Sequence, residues 1–282
     1  MLAALGGTFA YGRYRADRDA AWARIESEGE VVQTAHGAIE YGEAGHGFPV
    51  LAIHGAGQGF DQALLAGQFV VGDAYRVIAP SRFGYLRSPV PEDASPAAQA
   101  DLLAALLDVL DVERVVVAAI SAGGQTGIRF ALRHPERTAA LVLISAITCV
   151  PAPDGGPWRQ RASARCAVAS EFVYWLALQI ARPLLLTSLG VSGRAQADWS
   201  AEERRLAGQI LDVTLPLCAR VPGYRVDRSM VVSSQLSLEH IHAPTLVIHA
   251  QDDKTVDWAN GRRAVQRIPG AEALYFERGG HL

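Results

Sequence analysis

A chain of 282 residues is long enough to bury a large core within a single α/β domain. Apolar residues make up 50% of it and charged residues 20%, which is typical of a globular protein and excludes a disordered one. The formal charge of −3, without a basic run, indicates no nucleic-acid partner. The three cysteines have no C-x-x-C spacing, so we expect them to be reduced and mostly buried.

The first part of the chain, residues 1–29, combines a small, apolar stretch with a helical pattern. The apolar stretch ends near Tyr11 and is too short to cross a bilayer. Arg13 and Arg15 follow it, whereas a secretory signal carries its charges in front. We expect a frayed leader and then a surface helix over Ala16–Ser27, in a cytoplasmic protein; the remnant of a membrane anchor is the alternative.

Apolar, β-branched runs alternate with helical patterns over residues 30–149 and again over 237–282. The predicted strands are Glu30–Thr34, Ala38–Tyr41, Pro49–Ile53, Tyr75–Ala79, Arg114–Ile120, Ala140–Ile147, Pro244–Ala250 and Glu272–Phe276. The helices between them include a leucine stripe that follows Ser95-Pro96, the segment Ala122–His134, and a segment around Trp258–Arg267. This alternation predicts an α/β core, with a mostly parallel central sheet and helices on both faces.

The alternation breaks over residues 150–236, which read as a helical insertion. Its segment Phe172–Leu189 is strongly apolar, but Arg182 interrupts it, which excludes a membrane span. We expect this segment to be a helix that covers an apolar cleft.

Ser121 lies where a buried strand meets a helix, the position of a nucleophile on a sharp turn at the carboxyl edge of a sheet. Such a turn needs small residues two positions to either side, and Ala119 and Gly123 satisfy this, although glycine is the usual residue at the first position. The following helix start supplies free N–H groups and a positive dipole end. The alternative is that Ser121 only caps the helix Ala122–His134.

The glycine-rich loop His54-Gly55-Ala56-Gly57 follows an earlier strand and is a candidate oxyanion hole. A tetrahedral intermediate needs N–H donors directed at its negative oxygen. We expect one donor from Ala122 and the other from Ala56, with Gly57 as the alternative. His54 is expected to brace the loop rather than act as a base.

A base and an acid follow the last two predicted strands. His281 lies in the loop Gly279-Gly280-His281, from which the chain can return to the nucleophile. Asp253 follows the strand that ends at Ala250, and its carboxylate can orient the imidazole; Asp252 is the alternative acid. The chain order Ser, Asp, His is the one found in α/β-hydrolases.

Together these motifs resemble the α/β-hydrolase family. They are His54–Gly57, Ser81–Ser88 (a D-R-x-G-x-G-x-S turn with Ser81 in the aspartate place), Ala119–Gly124, Arg133–Arg137, Gln251–Asp253 and Gly279–His281. The resemblance implies a helical lid between the sixth and seventh strands, Ser121 as nucleophile, Asp253 as acid and His281 as base. It implies no cofactor and no metal. A serine at position 121 argues against the haloalkane dehalogenase and epoxide hydrolase branches, which need a carboxylate there.

These features predict a serine hydrolase with a small-molecule substrate that is partly apolar and carries an ester or similar acyl bond. The alternatives are a carbon–carbon bond hydrolase of the ring-fission-product type and a non-catalytic scaffold of the same fold. The sequence does not indicate an oligomeric state. Family members continue past the histidine with a helix that packs on the sheet, whereas only Leu282 follows here. We therefore expect His281 to lie on a fraying chain end, near exposed apolar surface.

Overall fold

The computed structural model describes residues 2–148, 171–191, 193–230 and 236–281. The strands are β1 Glu30–Thr34, β2 Gly37–Ala44, β3 Phe48–Ile53, β4 Tyr75–Pro80, β5 Val115–Ile120, β6 Thr138–Ile144, β7 Thr245–Ala250 and β8 Glu272–Phe276. They form one sheet in the order β1-β2-β4-β3-β5-β6-β7-β8. The pairs β1–β2 and β2–β4 are antiparallel and the others are parallel, which confirms a mostly parallel sheet.

The α-helices of the described residues lie between and beyond these strands. They are α1 Leu2–Glu28, α2 Phe60–Val71, α3 Pro96–Val109, α4 Gly124–Arg133, α5 Glu171–Ile180, α6 Arg182–Ser188, α7 Gly193–Asp198, α8 Ala201–Asp212, α9 Val221–Met230 and α10 Ala259–Arg267. The helices α5 to α9 come between β6 and β7, within the predicted insertion, and are called the insertion helices below. Three parts of that insertion, 150–170, 192 and 231–235, lie outside the described residues.

Helices cover both faces of the sheet, as the alternation of buried residues along β3 shows. Leu51 and Ile53 belong to the core cluster that includes α3 and α4. Ala52 points the other way and packs with Phe60 of α2 and Ile25 of α1. Because successive side chains of a strand point to opposite faces, each face of β3 has its own layer of helices. The predicted α/β architecture is therefore confirmed.

Helix α1 includes the apolar stretch expected to be a frayed leader. The helix begins at Leu2 and not near Ala16, because alanine and leucine favour helix and the helix is held by tertiary contacts. The Tyr14 ring packs edge-on against Phe172, with centroids 5.4 Å apart, and Trp175 Nε1 donates to Asp17 at 2.8 Å. None of the helices in the described ranges is long and apolar enough to cross a membrane.

The apolar segment Phe172–Leu189, predicted as one helix, is two. Helix α5 ends at Ile180 and α6 begins at Arg182, because Pro183 cannot donate a backbone hydrogen bond inside a continuous helix and fits the first turn of a new one. Trp175 and Leu178 of α5 are buried in a cluster with Tyr14 and Ala21 of α1. The apolar face of α5 therefore packs against α1.

A buried ion pair fastens the insertion helices to the core. Arg220, which precedes α9, donates to both carboxylate oxygens of Asp61 in α2, at 3.1 and 2.7 Å. Both side chains are about 1% exposed, and Arg24 of α1 adds a third hydrogen bond at 3.0 Å. Burial alone would raise the pKa of Asp61, but the two guanidinium groups lower it, so the carboxylate is ionised. This part of the insertion is thus tied to α1 and α2.

Two expectations about the surface have different outcomes. Cys218 is exposed, so the expectation of buried cysteines is wrong for it; it lies in a short 3₁₀ turn on the outside of the insertion helices. Cys149 and Cys166 lie outside the described residues. On the edge strand β8, Leu274 and Phe276 are 46% and 47% exposed, in agreement with the expected apolar surface near the sheet.

Candidate active site

Ser121 stands at a strained turn between β5 and α4. Its φ angle is +53°, in the left-handed region that non-glycine residues rarely adopt. A β-carbon at Gly123 would lie 2.6 Å from the carbonyl oxygen of His54, so only glycine fits there. Ala119, the departure from the usual glycine, is accommodated because the facing residue is Gly127, whose added β-carbon would lie 2.5 Å from that of Ala119.

His281 connects Ser121 to Asp253. Its Nε2 atom lies 2.9 Å from Ser121 Oγ, and its Nδ1 atom lies 2.8 Å from Asp253 Oδ2. The side chain of His281 is 7% exposed. The expectation that His281 would lie on a fraying chain end is therefore wrong, because both ring nitrogens are engaged and the ring is buried. The three side chains predicted from the sequence come together in one hydrogen-bonded chain.

The carboxylate of Asp253 is buried and surrounded by donors. Its Oδ1 atom accepts from the N–H groups of Thr255 and Val256, at 2.8 and 3.0 Å. Its Oδ2 atom faces His281 and also His249, whose Nε2 atom is 3.3 Å away. Burial alone would raise the pKa of Asp253, but the hydrogen bonds from His249 and His281 lower it to about 2. Asp253 is therefore an ionised acceptor at neutral pH.

Asp252, the alternative acid, serves the loop rather than the imidazole. Its Oδ1 atom accepts from the N–H groups of Gly279 and Gly280, at 3.0 and 2.8 Å. These bonds fix the loop that carries His281. Asp253 therefore contacts the ring of His281, whereas Asp252 binds the backbone N–H groups that precede it.

The candidate oxyanion loop lies directly against the nucleophile. A β-carbon at Gly55 would be 3.0 Å from that of Ser121, so the loop approaches closely. Ala56 packs against an apolar cluster that contains Ala122, so the two predicted donor residues belong to the same region beside Ser121. The N–H of Gly57 donates to the Tyr85 hydroxyl at 3.0 Å, which leaves Ala56 as the better candidate of the two.

His54 braces this loop, as the sequence analysis expects. It is fully buried, its Nδ1 atom lies 2.7 Å from the Gly55 carbonyl oxygen, and its Nε2 atom accepts from the N–H of Arg82 at 2.9 Å. Burial, and then the charge of Arg82, lower the pKa of His54 well below its ordinary value. A neutral ring held at both nitrogens is a structural strut and not a base.

The insertion helices reach the site at two places. The turn after α6 packs on the candidate base, and a β-carbon at Gly190 would lie 2.9 Å from His281 Cβ and 2.3 Å from Thr255 Oγ1. Tyr224 of α9 joins the apolar cluster of Ala56 and Ala122. Among the described residues, no group of three His, Cys, Asp or Glu side chains is placed to hold a metal ion.

Sequence reasoning did not identify three residues near this site: His249, Tyr85 and Asp227. His249 reads as an ordinary strand residue, and Asp227 lies in the insertion, where the sequence carries no pairing signal. Tyr85 lies within the motif Ser81–Ser88 and could have been noticed there. All three are buried. His249 contacts the candidate acid, Tyr85 contacts the oxyanion loop, and Asp227 contacts Tyr85.

Comparisons with known proteins identify the family of this chain. The model of the Alpha/beta hydrolase family matches residues 50–282. The chain is 31% identical over 270 residues to a 2-hydroxy-6-oxononadienedioate/2-hydroxy-6-oxononatrienedioate hydrolase of Paraburkholderia xenovorans, covering 91% of this chain and 86% of that protein. It is 26% identical over 244 residues to a 2-hydroxymuconate semialdehyde hydrolase of Pseudomonas putida, covering 85% and 82%. An alpha/beta hydrolase fold protein from Nakamurella multipartita superposes with a TM-score of 0.73 at 29% identity, covering 90% and 92%. The chain therefore belongs to the alpha/beta hydrolase family.

Proposed function

We propose that this chain is a serine hydrolase that cleaves an ester or similar acyl bond of a small, partly apolar substrate. The observation that carries the proposal is the hydrogen-bonded chain from Ser121 Oγ through His281 to Asp253, with distances of 2.9 and 2.8 Å. A serine hydroxyl is a weak nucleophile until a neighbouring base takes its proton, and this chain supplies that base and its orienting acid.

The first half of the reaction forms an acyl-enzyme. Ser121 Oγ attacks the substrate carbonyl carbon while His281 Nε2 takes the hydroxyl proton. Asp253 keeps the imidazole oriented and stabilises the imidazolium. The N–H groups of Ala56 and Ala122 donate to the carbonyl oxygen as it becomes negative. When the tetrahedral intermediate collapses, the bond to the leaving alcohol breaks and His281 gives that alcohol the proton.

The second half returns the enzyme to its starting state. A water molecule takes the place of the alcohol, and His281 Nε2 removes one of its protons. The resulting hydroxide attacks the acyl carbon, and the same two N–H groups hold the oxyanion. The bond to Ser121 Oγ breaks, His281 returns the proton to that oxygen, and the carboxylic acid leaves.

The surroundings of Ser121 favour an uncharged, apolar acyl group. The neighbouring cluster consists of Ala56, Ala122, Ile147, Tyr224 and Val256. The two arginines that are buried in the described part of the chain are each paired with a buried aspartate, Arg82 with Asp227 and Arg220 with Asp61. Neither is available to bind a substrate carboxylate, which the acidic substrates of ring-fission hydrolases carry.

A second candidate is hydrolysis of a carbon–carbon bond next to a carbonyl. The relatives from Paraburkholderia xenovorans and Pseudomonas putida carry the names of hydrolases of ring-fission products, and the similarity to the first extends over 91% of this chain. The same serine, base and oxyanion donors would serve, with a carbon leaving group that is protonated as it departs.

A substrate panel separates the two candidates. We expect p-nitrophenyl esters of short, apolar acids to be hydrolysed with a kcat/KM at least about tenfold higher than that for a vinylogous diketone acid. The Ser121→Ala variant, which removes only the hydroxyl, should keep its circular dichroism spectrum and lose turnover of both. A higher kcat/KM for the diketone acid would favour carbon–carbon cleavage. No turnover of either by the wild type, or retained turnover by the variant, would contradict the serine mechanism.

A further inference from the structure

A buried network joins the insertion helices to the oxyanion loop. Asp227 of α9 is 2% exposed and accepts from Arg82 Nη2 at 2.8 Å and from the Tyr85 hydroxyl at 2.5 Å. Arg82 and Tyr85 both lie in the loop after β4. The backbone docks at the same place, because the N–H of Gly223 donates to the carbonyl oxygen of Gly84 at 2.7 Å. This part of α9 is therefore fixed to the core rather than loosely resting on it.

The ring of Tyr85 is packed on two sides, by His54 and by α9. Its side chain is fully buried and meets the His54 ring edge-on at a centroid distance of 4.7 Å. On the other side, a β-carbon at Gly223 would lie 2.2 Å from the ring, so α9 presses directly on it. Burial, and then the charge of Asp227, raise the pKa of Tyr85 well above its ordinary value, so the hydroxyl keeps its proton.

The Tyr85 hydroxyl therefore donates to Asp227 and has its lone pairs free to accept. It accepts from the N–H of Gly57 at 3.0 Å. Gly57 has a φ angle of +77°, a left-handed conformation that glycine adopts readily, along with alternatives that are equally open to it. The bond to Tyr85 selects one of them. The peptide it fixes joins Gly57 to Ala56, the candidate oxyanion donor.

We propose that Tyr85 is a positioning residue for the oxyanion hole, oriented by Asp227 of the insertion helices and acting on Ala56 through the N–H of Gly57. The inference rests on the proposed serine hydrolase function. Hydrogen-bond donors stabilise an oxyanion only when they are held in place before the charge develops. The oxyanion hole is therefore ordered only when α9 is docked on the core. The alignment of Ser121, His281 and Asp253 does not depend on this network.

The Tyr85→Phe variant tests this, because it removes the hydroxyl and keeps the ring. We expect kcat for an ester to fall by about tenfold to a hundredfold, less than the loss for a direct donor, while KM stays within about twofold. A trifluoromethyl ketone, whose adduct with Ser121 carries an oxyanion, should lose affinity by the same factor as kcat/KM. A purely structural role would lower stability without this matched loss.

Tyr41→Phe is the matched control, because Tyr41 is also buried and its hydroxyl donates to Glu30 at 3.0 Å, away from the site. It should leave kcat and inhibitor affinity unchanged. Asp227→Asn is the second variant, for use if Tyr85→Phe does not fold. It keeps an acceptor for Tyr85 but removes the charge, so we expect kcat/KM and inhibitor affinity to fall together by a smaller factor. If a folded Tyr85→Phe variant binds the ketone within twofold of the wild-type affinity, the role of Tyr85 is overturned but the proposed function is not. Failure of the wild type to bind the ketone would overturn the proposed function as well.

Discussion

His249 lies beside the carboxylate of Asp253, with its Nε2 atom 3.3 Å from Oδ2. The same nitrogen is 3.0 Å from the carbonyl oxygen of Val256, while Nδ1 is buried and has no hydrogen-bond partner among the described residues. Both neighbours of Nε2 are acceptors, so Nε2 carries a proton and acts as the donor. Asp253 therefore receives a hydrogen bond from a second histidine in addition to His281.

The His249→Gln and His249→Asn variants test this contact. The glutamine amide can reach the place of Nε2, whereas the asparagine amide reaches only that of Nδ1. We expect the glutamine variant to retain most of the wild-type kcat/KM, and the asparagine variant to lose about tenfold, the equivalent of one hydrogen bond. Ester hydrolysis and denaturant unfolding measure the two effects. Equal activity of both variants would show that the donor at Nε2 has no influence on the acid. The exposed His242→Asn serves as the control.

Replacing the acid itself should have a larger effect. In Asp253→Asn the amide can donate to Nδ1 of His281, which leaves the proton on Nε2 and prevents this atom from accepting the Ser121 proton. We expect kcat to fall by about 10³- to 10⁴-fold with little change in KM. Asp252→Asn, which keeps an acceptor for Gly279 and Gly280, should lose far less. The opposite ranking in a steady-state ester assay would assign the acid to Asp252.

Because the pKa of Asp253 is lowered in the folded state, its carboxylate should stabilise the fold at neutral pH and lose this effect at low pH. Its value of about 2 in the folded state lies below the ordinary 3.8, so the ionised carboxylate stabilises the fold above about pH 4. This contribution, about 2 kcal/mol, is lost as the pH falls from 4 toward 2. The difference in unfolding free energy between the wild type and Asp253→Asn should therefore shrink over that interval. A difference that stays constant from pH 5 to pH 2 would contradict the depressed pKa.

The ion pair between Arg220 and Asp61 predicts a loss of stability. Arg220→Met leaves the buried Asp61 with Arg24 as its remaining cation, and we expect the unfolding free energy to fall by about 3 kcal/mol. The double variant Arg220→Met/Asp61→Leu should recover part of this loss, since the buried carboxylate is gone and Arg24 keeps its ion pair with Glu28 at 3.5 Å. The exposed pair Arg76–Glu43 is the control, with an expected loss below about 1 kcal/mol. Equal losses for the buried and exposed pairs would contradict this account.

The candidate site could be predicted from the sequence because each of its three residues lies on the strand-to-loop connection after a strand. Ser121, Asp253 and His281 come after β5, β7 and β8, and parallel strands bring their carboxyl ends to one edge. An apolar run predicts each strand, and small residues or glycines near its end predict the turn that follows, so one sequence is enough to locate these positions. The alternatives at Gly57 and Asp252 needed the structure, because a choice between adjacent residues depends on which hydrogen bond each one makes.

Other features left no local signal. Helix α2 begins after Gly59, which has no side chain to cap it, and the glycine-rich loop before it reads as an extended turn region. The contact of Tyr85 with Asp227 joins residues 142 positions apart. The fit of Ala119 depends on Gly127, one turn into the following helix, so the departure from glycine can be judged only when both are placed in space.

Labelling with a fluorophosphonate, followed by mass spectrometry to locate the label, shows whether Ser121 is an activated nucleophile. We predict a phosphonylated Ser121 in the wild type, no label in Ser121→Ala, and strongly slowed labelling in His281→Ala, because the base lies 2.9 Å from the hydroxyl. An unlabelled wild type whose circular dichroism shows it to be folded, or a label on any other serine, would contradict this prediction.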